Sequence, residues 1–273
     1  MEPDATIAIA FNRDEVNGKT QTPSMTQVRA VFQTACEEWM KYAGVTFKII
    51  VPTEDPETTW STVDTVYKAN VRVTFQGAPN TYTSALGTQS IDPAVFAPGR
   101  PSMVLAGVGD NPPRDLLRIV VHELGHVLGF EHEHQHPFYL CSAEIDADMI
   151  CRTWGLSPRE FNANFKALDP SYSFSCDAAI DAQSVMGYSL DQRFFRSGAQ
   201  SPCFATPGDR LSERDQRCVG KVYPKDKEGR AARYAERLVA LESRQGSAME
   251  AAHFAWTRMS ARKGKERLPE SVK

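Results

Sequence analysis

Residues 122–133 read His-Glu-Leu-Gly-His-Val-Leu-Gly-Phe-Glu-His-Glu, and the spacing of the three histidines decides how the rest of the chain is read. Leu117, Val120, Val121, Leu124, Val127 and Leu128 recur at helical spacing, which predicts a helix with one buried stripe. Asn111-Pro-Pro-Arg-Asp115 reads as its start, with Asn111 as cap and Asp115 near the positive end of the dipole. Gly129 reads as its end, because a residue without Cβ lets the chain take a left-handed turn.

On that helix His122 and His126 are four residues apart, so both imidazoles point to one side, a turn from each other. Two nitrogens so placed can grip one Zn²⁺ at about 2.0–2.1 Å. The turn at Gly129 brings His132 round as a third ligand. Three protein ligands leave the fourth position to water, the pattern of a catalytic rather than a structural zinc. Glu123 sits beside His122, close enough to take a proton from a water whose pKa the metal lowers to about 7. The expected metal ligands are therefore His122, His126 and His132, with Glu123 as catalytic base. His134 and His136 read as surface residues flanking the site, and His253 as an ordinary helix residue.

The remainder of the chain agrees with an enzyme. It has 273 residues, 41% of them apolar and 24% charged, a globular composition. No apolar run approaches the roughly 20 residues that span a bilayer. A net charge of −3 argues against nucleic-acid binding as the main business of the chain. That mean hides an asymmetry: residues 225–273 carry 12 Lys+Arg and 7 Asp+Glu, a net +5, which leaves −8 on residues 1–224.

Six cysteines (36, 141, 151, 176, 203 and 218) lack CxxC spacing, which favours disulfides in an oxidising compartment over a cysteine-ligated zinc module. Local closure suggests Cys141 with Cys151 and Cys176 with Cys203, leaving Cys36 with Cys218. Residues 1–11 do not read as a signal peptide, since Glu2 and Asp4 stand where a basic region belongs.

Strands are expected at Ala5–Phe11, Val45–Val51, Ala69–Phe75, near Tyr82–Gly87 and at Ser102–Ala106, with an amphipathic helix at Ser24–Ala43 capped by Ser24. The second half reads as loop-rich. Ala231, Tyr234, Leu238 and Leu241 predict one face of a C-terminal helix, and a second helix is expected over Ala248–Arg262. The fold class is α+β: a mixed-sheet N-terminal lobe, an active-site helix, an irregular C-terminal lobe and an appended helical segment. The expected organisation is a catalytic domain over residues 1–224 and a basic helical extension over 225–273.

HExxHxxGxxH resembles the metzincin signature, and Phe130 with His132-Glu133 makes the stretch similar to the astacin branch. Ser184-Val185-Met186-Gly187-Tyr188 lies 54 residues beyond His132, counted to Met186, and resembles the metzincin methionine turn. The resemblance implies that Met186 floors the three histidines, and that Tyr188 is a second catalytic residue able to ligate zinc and stabilise an oxyanion. It also implies that Tyr82–Gln89 is an edge strand receiving an extended peptide. Two departures stand out: Gln135-His136-Pro137 replaces the usual continuation, and Gly187 replaces a common histidine. In animal astacins the glutamate matching Glu133 meets the freed N-terminus. With about four residues before the first strand, latency by pro-segment removal is not expected, and a divergent, microbial-type member is. Serralysins are disfavoured by Glu133 and by the lack of glycine–aspartate repeats.

The function implied is a secreted, zinc-dependent endopeptidase acting on proteins or peptides by Glu123-assisted attack of zinc-bound water. The alternative is a binding or effector protein whose basic helical tail recruits a partner. A zinc hydrolase of non-peptide amides is a further rival.

Overall fold

The computed structural model describes residues 4–16, 23–50, 59–78, 81–110, 112–139, 141–169 and 180–243. The Asn111 cap, Cys176, His253 and the helix expected over 248–262 lie outside the described residues.

The N-terminal elements are β1 (Thr6–Phe11), α1 (Arg13–Val16), α2 (Pro23–Met40), β2 (Thr46–Ile49), β3 (Val71–Thr74), β4 (Tyr82–Ser84), β5 (Met103–Leu105) and α3 (Leu116–Val127). β1 is apolar from Ile7 to Phe11, which favours a strand buried on both faces. Ile7, Ile9, Ala10 and Phe11 are accordingly all inaccessible to solvent. The sheet order is β2-β1-β3-β5-β4. β1 pairs in parallel with β2 and β3, and β3 with β5. β4 alone runs antiparallel, with Tyr82 opposite Leu105 and Ser84 opposite Met103, and it forms an edge of the sheet. A buried arginine, Arg72 on β3, donates to the carbonyls of Ala69, Ser90 and Arg100, which secures the connection carrying β4.

α2 and α3 share one apolar cluster with the sheet, built on Phe32, Trp39, Val120, Val121 and Leu124. Each such side chain contributes about 1.5–3 kcal/mol by leaving water. Trp39 also donates its indole N–H to the Val121 carbonyl at 2.9 Å.

Both helix starts differ from expectation. α2 opens at Pro23, so Ser24 lies inside the first turn rather than capping it. α3 opens at Leu116, beyond the two prolines, and its N-cap Asp115 makes no cap bond because its carboxylate pairs with Arg118 at 2.7 Å.

The second half is more helical than its loop-rich sequence suggests. It contains α4 (Cys141–Glu144), α5 (Ala147–Trp154), α6 (Pro158–Phe165), α7 (Glu213–Val222) and α8 (Lys227–Ser243). Asp146 caps α5, while Ser157 with Glu160 and Ser212 with Asp215 form capping boxes on α6 and α7. A second apolar cluster centred on Phe161, Phe165, Phe194 and Phe195 fills this lobe.

The cysteine pairing inferred from local closure is wrong. Cys141 bonds to Cys203, their Cα atoms 5.6 Å apart across 62 residues of chain. Cys36 is a free thiol buried in the core, and Cys151 is free on α5. Cys36 therefore does not close Cys218, which is itself disulfide-bonded. Proximity in space, set by packing of the second cluster, overrides proximity in sequence.

α8 is tied to the body: Arg230 pairs with Asp4 at 2.8 Å and Lys225 donates to the Lys41 carbonyl. Its buried face differs from expectation, since Ala231 is exposed and Arg233 buried. Among the described residues no helix is long and apolar enough to cross a membrane.

Candidate active site

α3 supplies His122, Glu123 and His126, and its C-terminus sets where His132 falls. Gly129 adopts φ +91°, the left-handed region that penalises a Cβ. There the Gly129 N–H donates to the His126 carbonyl and the Phe130 N–H to the Gly125 carbonyl, a Schellman closure. The chain reverses, and one ligand nitrogen from each of His122, His126 and His132 lies within 4.8 Å of the others. The Nε2 atoms of His126 and His132 face each other at 3.2 Å.

Each imidazole is oriented through its other nitrogen. His122 Nδ1 donates to the Val185 carbonyl at 2.7 Å and His126 Nδ1 to the Phe130 carbonyl at 2.7 Å. His132 Nδ1 meets Gln135 Oε1 at 3.0 Å. Gln135 Nε2 donates to the Ala163 and Lys166 carbonyls, so its Oε1 must be the acceptor facing His132. With all three Nδ1 atoms donating, the Nε2 lone pairs converge on one point.

The donor chemistry fits zinc. Burial, together with the neighbouring imidazoles, lowers the His122 pKa to about 3, and burial lowers that of His126. His132 is likewise held well below its usual range. Neutral imidazoles with inward lone pairs are ready ligands, and a cation resolves the approach of His126 to His132. Burial alone pushes the Glu123 carboxyl up to about 8, and its Oε2 is buried with no partner among the described residues. A dication beside it is the opposite charge that favours the carboxylate.

The methionine turn sits beneath α3. Met186 is buried, and a Cβ at Gly125 would collide with its Sδ. The glycine inside HELGH therefore permits the close approach of helix and turn. The turn is held from below by α7: Asp215 accepts from Ser184 Oγ at 2.8 Å and from the Val185 N–H at 2.9 Å. The Glu133 N–H donates to the Met186 carbonyl, and Glu133 Oε1 accepts from the Asp181 N–H at 2.7 Å.

Tyr188 packs its ring 4.3 Å from that of His132, and its hydroxyl donates to Asn164 Oδ1 at 3.4 Å. One sequence expectation fails nearby. His134 is buried rather than on the surface, stacked on His132 and tilted against Tyr188, with Nε2 bonded to the Asn164 carbonyl. His136 is half-buried against Phe138 and Tyr139.

His122, Glu123, His126, His132, Asn164 and Tyr188 line a cleft of about 610 Å³. β4 forms one wall, α3 the floor, and Trp154, Leu156, Phe165 and Tyr188 the opposite wall. Gln135, Asn164 and Asp215 carry positions in the site that the motif did not disclose. Gln135 stands three residues past His132, a helical-turn spacing that could have flagged it. Asp215 belongs to a legible capping box, whereas nothing in the sequence marks Asn164.

Residues 113–217 match the family model of the astacin peptidases. The chain is a zinc metallopeptidase whose site-bearing segment is similar to the astacins. A likeness in fold to solved structures extends beyond the matched segment. A solved structure of myroilysin aligns with a TM-score of 0.61 and 24% identity, over 83% of this chain and 96% of that one. A crystal structure of myroilysin aligns at 0.53 and 24%, over 82% and 85%. High choriolytic enzyme 1, a hatching-enzyme zinc-protease from Oryzias latipes (medaka fish), aligns at 0.42 and 15%, over 79% and 87%.

Proposed function

We propose that this astacin-like enzyme is a secreted endopeptidase that cleaves polypeptide chains by Glu123-assisted hydrolysis, with His122, His126 and His132 as zinc ligands. One observation carries the mechanism: Glu123 lines the cleft beside the three converging imidazoles with a buried oxygen that has no partner among the described residues.

Zinc held by the imidazoles supplies Lewis acidity and lowers the pKa of a water to about 7. An extended peptide lies along β4, the sheet edge that lines the cleft, and adds to it by main-chain hydrogen bonds. Glu123 accepts a proton from the attacking water as the new C–O bond forms. It then delivers that proton to the leaving amine as the C–N bond breaks. The Tyr188 hydroxyl leaves Asn164 and donates to the oxygen that gains charge. Gln135 keeps the His132 ring in its orientation throughout, and Met186 keeps the floor closed.

The catalytic body is assigned to residues 1–224 and the helical extension to 225–273. The contacts of Arg230 and Lys225 with the body favour an extension packed on the enzyme over a free recruiting tail. Secretion is supported by the Cys141–Cys203 disulfide, a bond that persists in oxidising compartments.

The test is metal removal. Dialysis against a chelator is expected to abolish cleavage of casein and of synthetic peptides, and one equivalent of Zn²⁺ to restore it. Hydrolysis that survives complete zinc removal would overturn the reading.

A further inference from the structure

The wall opposite β4 is built for a particular kind of side chain. Trp154 ends α5 and is 45% exposed, one of few large apolar side chains open to solvent among the described residues. Its ring packs 5.9 Å from Phe165, and the Phe165 ring packs 5.6 Å from Tyr188. Tyr188 in turn touches His132. Phe165 is itself fully buried and backs the wall from behind, so the accessible part of the wall is Trp154, the half-buried Leu156 and the half-buried Tyr188, all lining the cleft.

This wall carries no charge. The ionisable cleft residues other than the histidines, Glu123 and Tyr188 are Tyr82 on β4, Arg118 on α3 and Glu131 just beyond the end of α3. Arg118 already pairs with Asp115 at 2.7 Å. The wall is also fixed before any ligand arrives. Phe161 and Phe165 stack at 4.9 Å, Trp154 packs 5.7 Å from Phe194, and the Cys141–Cys203 disulfide ties the lobe together. A rigid apolar face loses little freedom on binding, so its contribution goes to recognition.

We infer that Trp154 and Leu156, backed by the buried Phe165, form a subsite for a large apolar side chain, aromatic foremost, at a residue flanking the scissile bond. This rests on the peptidase reading above and names its substrate class. The expected polypeptides carry Phe, Tyr, Leu or Met at the cleaved bond rather than Asp, Lys or Gly. Because burying such a side chain against an aromatic is favourable and burying a charge there is not, the preference over Ala is expected to be about tenfold or more.

The test uses the zinc-loaded full chain and peptides identical except at the two residues flanking one bond, which are varied through Phe, Leu, Ala, Asp and Lys. Wild type is expected to favour Phe and Leu in kcat/KM. Trp154→Ala is expected to bring the Phe:Ala ratio several-fold closer to one, and Trp154→Phe to preserve most of it. Thermal unfolding midpoints verify that both variants are folded. Cleavage with a ratio near one, a preference for Asp or Lys, or a ratio untouched by Trp154→Ala would overturn the subsite and leave the peptidase reading standing. A parallel arm measures binding of the Phe and Ala peptides to the Glu123→Gln protein by fluorescence. If wild type cleaves none of the peptides, but Phe binds tighter than Ala only while Trp154 is present, the subsite stands and the peptidase reading falls.

Discussion

Gln135 shows how much of a candidate metal centre can rest on a residue outside the histidine cluster. Its amide accepts from His132 Nδ1 and donates to two carbonyls at the end of α6, so it fixes one imidazole and joins two lobes at once. In the sequence it appears only as a departure from the astacin pattern. A leucine there would fill the space but leave the His132 Nδ1–H without an acceptor. Gln135→Leu is expected to weaken zinc about 10–100-fold, read by competition with a chromogenic chelator. Affinity within twofold of wild type would show that His132 is oriented by packing alone. The clustering of the three histidines was legible because i, i+4 spacing and a helix-ending glycine translate directly into geometry. His134 misled, since polarity suggested the surface, while its imidazole is buried, stacked on His132 and tilted against Tyr188.

At the scale of elements, the site depends on how closely α3 approaches the methionine turn. A Cβ at Gly125 would collide with Met186 Sδ and stand 3.1 Å from Trp39, so helix, turn and α2 converge on a single missing methyl. Gly125→Ala is expected to cost about 1–3 kcal/mol by overpacking, measured by urea unfolding. Combining it with Met186→Ala is expected to recover part of that loss, giving a coupling energy in a double-mutant cycle. Strict additivity would mean the contact is not a constraint. Strands and the central helix were readable from their apolar periodicity. The starts of α6 and α7 were legible too, in Ser157-Pro-Arg-Glu160 and Ser212-Glu-Arg-Asp215, although a lobe rich in polar residues reads as loop until these capping signals are weighed.

For the whole molecule, two apolar clusters meet across the cleft, and the Cys141–Cys203 disulfide spans 62 residues within the second. Disulfide connectivity was the least legible feature, because it follows from packing between segments distant in sequence. Replacing both cysteines with serine is expected to lower stability by about 2–4 kcal/mol through the freed chain entropy of the unfolded state. It is also expected to reduce kcat/KM while leaving zinc content at one per chain, since the ligands belong to α3 and the turn behind it. An unchanged urea midpoint would place the stability of the second lobe in its aromatic cluster instead.

The central claim joins three histidines that bind with one carboxylate that reacts, and a single substitution separates the two roles. The most direct measurement is zinc stoichiometry beside peptide hydrolysis for Glu123→Gln. One zinc per chain with turnover reduced by on the order of 10²–10⁴ is the predicted result. A zinc-loaded variant that hydrolyses peptides at close to the wild-type rate would contradict the account.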